Sequence, residues 1–416
     1  MWDPYALFQE EILPNGLRIC AAQWEGRSWQ HVYILVHSGA VHDLDGLEGA
    51  AHFMEHLVSE NGNLPLPEIE DFFRPYGRPG LGATGWDSSY YNFSVPANQQ
   101  IFSEGLNIFG NMLVTAKLEK CVERERQVIV GEFRQRYVAD YEYDLAARKQ
   151  RALFHGHPIG RATTPLGSLE SIARIAQSDL QSFYDCHYTP KNMTIITCGG
   201  LSLRQVAHLI QESPFGLLKN GMARQTFTPA TTHHVPSETR HVVDLKEYRS
   251  ADTRVGAYLS ESVLPGIVKK SAVQLFSTLL SEVLFEEIRL KRAWTYSVYS
   301  EWHPVCGLYS FIISAEGLVP EAMTSIEEVV ENSILRVTED DATFKKYRGA
   351  VRAQVQMLDI PGHEVSYNTM MELAAFGKIP NIERALLGIE TVTLDNMKEI
   401  ACMLAPRLRY TQLSLP

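Results

Sequence analysis

The sequence predicts an α+β chain of two domains, and three observations lead there. Stretches that alternate like strands and stretches with helical periodicity follow one another in blocks. The 416 residues exceed what one hydrophobic core organises, so two domains of about 200 residues each are expected. Residues 213–238, "SPFGLLKNGMARQTFTPATTHHVPSE", are rich in Pro, Gly, Thr and Asn without steady periodicity and read as a linker. The expected domains are therefore 1–212 and 239–416.

"LPNGLRICAAQ" and "HVYILVHSGAV" alternate as strands, with Asn15-Gly16 as the turn signal before the first. In "GLEGAAHFMEHLVSE", Ala51, Met54 and Leu57 fall at helical spacing, so His52, Glu55 and His56 belong to a helix. Residues 81–96, "LGATGWDSSYYNFSVP", read as a strand stopped by Pro96, and 97–115 and 117–154 read as helices. Met193 to Thr197 is an apolar strand before a Gly-Gly turn, followed by one more helix. After the linker the order strand, long helix, strands, helices returns, which suggests a duplication that no recurring string of residues proves.

The composition is that of a soluble globular protein, with 45% hydrophobic and 21% charged residues. A net charge of −11 without a basic stripe argues against nucleic acid as a partner. The six cysteines, Cys20, Cys121, Cys186, Cys198, Cys306 and Cys402, form no CxxC pair, which fits a reducing compartment better than a disulfide scaffold. The N-terminal stretch lacks signal or transit character, and no run is long enough to span a bilayer. A cytoplasmic location without membrane attachment is the expectation.

Residues four apart on a helix are separated by about 40°. His52 and His56 can therefore direct their imidazoles at one metal ion, while Glu55 reaches a water on it, the arrangement of an HxxEH motif. Further along, "VERERQVIVGEF" places Glu125 and Glu132 seven apart on one helix face, with about 20° of drift. They are either further site residues or the solvated face of a charged helix, paired with Arg124, Arg126 and Arg134. His155 and His157 in "FHGHPIG" read as a turn, and His233-His234 as solvated linker. The aromatic run Trp86, Tyr90, Tyr91 and Phe93 fits a peptide pocket and a half-buried strand equally well.

"LPNGLRI", "GLEGAAHFMEHL", "RERQVIVGEF", "HPIGRATTPLGSLESI" and "FYDCHYTPKNMTIITCGG" stand in the order and spacing of the first domain of the M16 zinc peptidases, the pitrilysin and insulysin group. The chain resembles that family nearly end to end, in particular its short-chain members such as the subunits of mitochondrial processing peptidase. The resemblance implies one Zn2+ per chain on His52, His56 and Glu132, with Glu55 as general base and Glu125 supporting the site without binding the metal. "LFEEIRLKRAWTYSVYSEW" is similar to the family's distal Arg/Tyr signature, which falls on Arg289 and Tyr296, assisting on the substrate carbonyl. The substrate would add as a strand at Gly82, Ala83 and Thr84. Two departures stand out: the family's edge-strand Asn is absent from Leu81-Gly82-Ala83-Thr84, and its glycine shortly before the distal tyrosine is absent from "KRAWTY".

The resemblance further implies that each domain is a mostly antiparallel sheet packed with helices. Two such domains would face each other, forming a clam-like half chamber that a second subunit completes. Because both motifs lie in one chain, a homodimer is expected, with a heterodimer of related subunits as the alternative. The expected activity is zinc-dependent endopeptidase cleavage of short or unfolded peptides. Two other readings stay open: a dedicated processing protease for the leader of a ribosomally made peptide, and a non-catalytic scaffold or binding subunit.

Overall fold

A computed structural model of the chain describes residues 2–60, 65–116, 118, 121–137, 143, 147, 150–151, 158–160, 164–219, 221, 240–244, 251–260, 268–306, 308–356, 362–404 and 409–414. Most of the 213–238 linker lies outside the described residues, as do His155, His157, His233, His234 and most of the expected helix beyond 137. The chain forms two compact units. The first comprises Met1–Asp140, Arg161–Phe227 and Ile360–Pro380; the second comprises Tyr141–Gly160, Thr228–Asp359 and Asn381–Pro416.

The first unit runs through β1 (Phe8–Ile12), β2 (Arg18–Gln23), β3 (Trp29–Val36), α1 (Ala50–Glu60), α2 (Leu66–Phe73), β4 (Gly80–Thr84) and β5 (Ser89–Pro96). It continues with α3 (Gln99–Val114), α4 (Val122–Arg136), α5 (Leu169–Arg174), α6 (Gln177–His187), β6 (Met193–Gly199) and α7 (Leu203–Glu212). Its sheet has the order β1-β2-β6-β3-β5-β4. The β-like stretch over 81–96 is a hairpin, because Gly85 N–H donates to Ser88 O at 2.8 Å and turns the chain between β4 and β5.

β5 alternates strictly, burying Tyr91, Phe93 and Val95 on one face. There Phe73, Phe93, Phe102 and Phe109 form a core of edge and tilted ring contacts. β6 is buried at every position, which requires cover on both faces of the sheet. A helix from late in the sequence supplies the second cover: Met370, Leu373 and Ala374 pack on Cys20, Leu35 and Ile196. The expected second domain over 239–416 therefore differs from the structure at this helix, Gly362–Phe376. Apolar side chains on the outer face of β2, β3 and β6 draw it into the first unit, and no local pattern in the helix announces that destination.

The second unit contains β7 (Arg240–Asp244), β8 (Ala251–Ser260), α8 (Val268–Leu284) running into a π-helical turn at Phe285–Leu290, β9 (Ser297–Val305) and β10 (Leu308–Leu318). α9 (Ile326–Arg336) and α10 (Asp341–Gln356) follow. After α11, the Gly362–Phe376 helix of the first unit, come α12 (Ile382–Thr391), α13 (Leu394–Leu404) and β11 (Arg409–Ser414). Its sheet order is β7-β11-β8-β10-β9. With β1 set aside, the two sheets are the same permutation of first, last, second, fourth and third strand. Each has a single parallel pair in the same place, β2–β6 and β7–β11, among otherwise antiparallel neighbours. The suspected duplication is thus present in topology, and α8 takes the place in the second sheet that α1 takes in the first. Among the described residues no helix is long and apolar enough to cross a membrane.

Just past the π-helical turn, Ala293 has a φ of 53°, in the left-handed region. Ala293 N–H donates to Arg289 O and Trp294 N–H to Ile288 O, closing the helix end as a left-handed cap residue does. This backbone position accounts for a glycine before the distal tyrosine; alanine there holds a conformation that its Cβ disfavours. Ala293→Gly should raise stability by about 1 kcal/mol, read from the denaturant midpoint; a lower midpoint would show that Ala293 is unstrained.

Candidate metal centre

α1 carries the first half of the site, and its start is fixed from a distance. The buried carboxylate of Asp43 accepts from Gly49 N–H (2.7 Å) and Ala51 N–H (2.8 Å), satisfying donors in the first turn and placing negative charge at the helix N-terminus. Gly49 has a φ of 99°, and a Cβ there would overlap the backbone of Leu166, so glycine alone permits this approach. Sequence reasoning missed Asp43, which stands too far ahead of Ala50 to register as a local cap.

From that start, His52, Glu55 and His56 fall on one face and are mostly buried. The two imidazole rings are 4.7 Å apart. α4 brings the second half. Glu132 Oε2 lies 3.5 Å from His52 Nε2 and 3.4 Å from His56 Nε2. Glu125, at 3% exposure, places Oε2 3.5 Å from the other ring nitrogen of His56, Nδ1. The expected shared face of Glu125 and Glu132 is therefore real, and the two carboxylates flank His56 from opposite edges of its ring. The pairing of Glu125 with Arg124 also occurs, through Arg124 Nε and Glu125 Oε1 at 2.9 Å, but the carboxylate is buried rather than solvated.

Burial, then the neighbouring His56, lowers the pKa of His52 to about 4, against a weaker opposing pull from Glu132. For His56 burial acts downward but the carboxylates of Glu132, Glu55 and Glu125 outweigh it and raise the pKa. The His56 contact holds Glu132 below the usual carboxylate range, with His52 adding to the effect against partial burial. Burial raises Glu55, opposed by His56 and by the Thr84 hydroxyl, which donates to Glu55 Oε2 at 3.0 Å. A neutral imidazole and an anionic carboxylate are the protonation states that metal binding requires, and at His56 a metal would compete with a proton.

His52, His56 and Glu132 each offer a ligand atom within 4.8 Å of the others, so they can hold a divalent cation. The two nitrogen–oxygen separations of 3.4 and 3.5 Å are long for hydrogen bonds. They match the roughly 3.3–3.4 Å between ligands that sit 2.0–2.1 Å from one tetrahedral ion. The residues present fit zinc. Glu55 Oε2 stands 3.9 Å from His52 Nε2, beside the three donors.

β4 lies at the sheet edge and, among the described residues, pairs only with β5. Its Thr84 side chain is engaged with Glu55 and Ser89, and Ser59 of α1 donates to Leu81 O at 2.5 Å, tying the edge strand to the helix. A methyl group at Gly82 would overlap the Glu55 carboxylate, so the absent side chain gives that carboxylate its room. Ala83 faces Tyr90 in the β4–β5 register. Of the aromatic run, Tyr91 and Phe93 are core residues, and Tyr91 Oη meets Tyr188 Oη at 2.8 Å.

In the second unit Arg289 and Tyr296 are brought together. The Arg289 guanidinium stacks 4.0 Å from the Tyr296 ring centroid and 4.8 Å from that of Phe285, and Nη1 donates to Tyr296 O at 3.0 Å. Tyr296 is 80% exposed.

The family description "Insulinase (Peptidase family M16)" matches residues 25–164, and "Peptidase M16 inactive domain" matches 174–351, together most of the chain. The chain belongs to the M16 peptidase family. It is 25% identical over 424 residues to "Uncharacterized zinc protease Rv2782c" of Mycobacterium tuberculosis, covering 98% of this chain and 93% of that protein. It is 28% identical over 225 residues to "Probable zinc protease PqqL" of Escherichia coli, a match that takes in 52% of this chain but 24% of PqqL. The crystal structure of a protease from Helicobacter pylori shares the fold at a TM-score of 0.84 and 19% identity, covering 98% of this chain and 99% of that one.

The crowding at position 82 makes a direct prediction. A crystal structure of Gly82→Ala should show the Glu55 carboxylate displaced from Thr84; an unmoved carboxylate would mean that β4 yields instead.

Proposed function

We propose that this M16 chain is a zinc-dependent endopeptidase that hydrolyses short or unfolded peptides within an enclosed chamber. The observation that carries the reading is the meeting of His52 Nε2, His56 Nε2 and Glu132 Oε2 beside the buried carboxylate of Glu55. Three protein donors are the complement of a catalytic zinc, which keeps one position open, whereas structural sites close with four. Held there, zinc would supply Lewis acidity and acidify water towards a pKa of about 7.

Glu55 is placed to take the proton from the attacking water as its oxygen joins the scissile carbonyl carbon. It then returns that proton to the leaving nitrogen as the C–N bond breaks. Thr84 orients the Glu55 carboxylate, and Gly82 leaves it space. The peptide is assigned to the open side of β4 at Gly82, Ala83 and Thr84, where main-chain hydrogen bonds give affinity with little demand on side-chain identity. Tyr296 is the assigned donor to the developing oxyanion, with Arg289 holding it through the stacked ring and the Tyr296 carbonyl.

The working form we propose is a homodimer, since one chain carries both the zinc-binding and the Arg/Tyr motif. A heterodimer with a related subunit would need neither motif twice. A cytoplasmic setting remains our expectation from the scattered cysteines. Trimming of a peptide leader would use the same site and differs only in substrate. A purely scaffolding role is disfavoured, because a scaffold has no use for His52, Glu55, His56 and Glu132 together.

Purified protein should contain one zinc per chain by elemental analysis, and Glu132→Ala should lose most of it; full zinc retention in that variant would remove Glu132 from the ligand set. Glu55→Gln should keep the metal while turnover of a peptide panel falls at least about 100-fold, the scale of general-base loss. Undiminished hydrolysis would end the role assigned to Glu55.

A further inference from the structure

Arg124 carries a charge that the reaction does not need and a geometry that the metal centre does. Its Nε donates to Glu125 Oε1 at 2.9 Å and its Nη2 donates to Glu60 Oε2 at 2.8 Å. Glu60 is the last residue of α1, one turn beyond His56. Glu125 turns its second oxygen, Oε2, towards His56 Nδ1 at 3.5 Å. Four side chains, His56, Glu125, Arg124 and Glu60, thus close a circuit between α1 and α4, two from each helix. Arg126, the neighbouring arginine on α4, is committed elsewhere: it donates to Ile172 O and Ile175 O, pairs with Glu123 and stacks over Phe53.

We infer that Arg124 is a positioning residue for the metal centre, one that fixes the Glu125 carboxylate towards His56 Nδ1 and ties the end of α1 to α4. The inference rests on the reading of His52, His56 and Glu132 as zinc ligands. An imidazole that offers Nε2 to a cation carries its proton on Nδ1, and the acceptor of that proton sets the ring's orientation. Glu125 Oε2 is the carboxylate oxygen that faces His56 Nδ1, at 3.5 Å, whereas His52 Nδ1 is buried with no hydrogen-bond partner among the described residues. The Glu125 side chain, left to itself, could turn either oxygen or neither towards the ring; the charge-assisted bond from Arg124 engages Oε1 and leaves Oε2 for His56. Arginine suits the position because its planar fork offers separate nitrogens to two carboxylates, which an ammonium cannot do in the same directions. Without Arg124, Glu60 and Glu125 would face each other as like charges and push the helix ends apart.

The test is the zinc dissociation constant of the full-length chain, measured by competition with a chromophoric chelator, with far-UV circular dichroism as the check on folding. Arg124→Met should weaken zinc binding by about 10- to 100-fold, the range for outer-layer partners of metal ligands. Glu125→Gln should do the same, and the double variant should be no weaker than the worse single one, because the two residues act in series. Arg124→Lys should fall between, and it decides the matter if Arg124→Met does not fold. Wild-type affinity in Arg124→Lys and Arg124→Met, or losses that multiply in the double variant, would overturn the inference. Failure of the wild-type chain to hold zinc would instead overturn the metal-centre reading on which it rests.

Discussion

Two imidazoles from one turn of α1 and a carboxylate from α4 reach towards the same point, and the first unit is organised around keeping them there. The two helices come from separate stretches of chain, so the site exists only when both are docked. Asp43 fixes where α1 begins, Ser59 ties it to the edge strand, and α4 is tied to α1 and to the 172–175 segment through Arg124 and Arg126. A metal bound at His52, His56 and Glu132 would gather like-charged and polar groups that otherwise burden a buried surface. Glu125 and Glu132 both lie against His56, and Glu55 is more buried than an unpaired carboxylate tolerates cheaply. That concentration of desolvated polar groups is the mark of a functional site rather than of packing.

The second unit repeats the strand permutation of the first but places a different chemistry at the matching position. Where α1 presents two histidines and a glutamate, α8 runs into a π-helical turn that presents Arg289 against Tyr296 and Phe285. A π-helical turn widens the backbone and is frequent at functional positions. The left-handed Ala293 follows, and Tyr296 lies exposed immediately before β9. One strand permutation thus carries two different sets of side chains at the matching position.

Much of this was legible in the sequence where the signal is local. The helical spacing of Ala51, Met54 and Leu57 placed His52, Glu55 and His56 on one face, and the seven-residue interval between Glu125 and Glu132 predicted that both would point the same way. Where the determinants are distant, the sequence was silent. The Gly85 turn was hidden inside a continuous β-like run, because a hairpin turn of Gly, Trp, Asp and Ser interrupts it without breaking its β character. The destination of the Gly362–Phe376 helix was hidden because it is set by the apolar outer face of β3 and β6, residues far away in the chain. Asp43 was invisible as a cap for the same reason. The glycine absent from "KRAWTY" looked like a change of local turn, yet the chain keeps the left-handed turn and places Ala293 in it.

Anomalous diffraction at the zinc edge, from crystals grown with zinc, tests the central claim most directly. The account predicts one peak in the first unit, about 2.0–2.1 Å from each of His52 Nε2, His56 Nε2 and Glu132 Oε2. A peak elsewhere, or a zinc-containing crystal in which Glu132 turns to solvent while the histidines bind other partners, would contradict it.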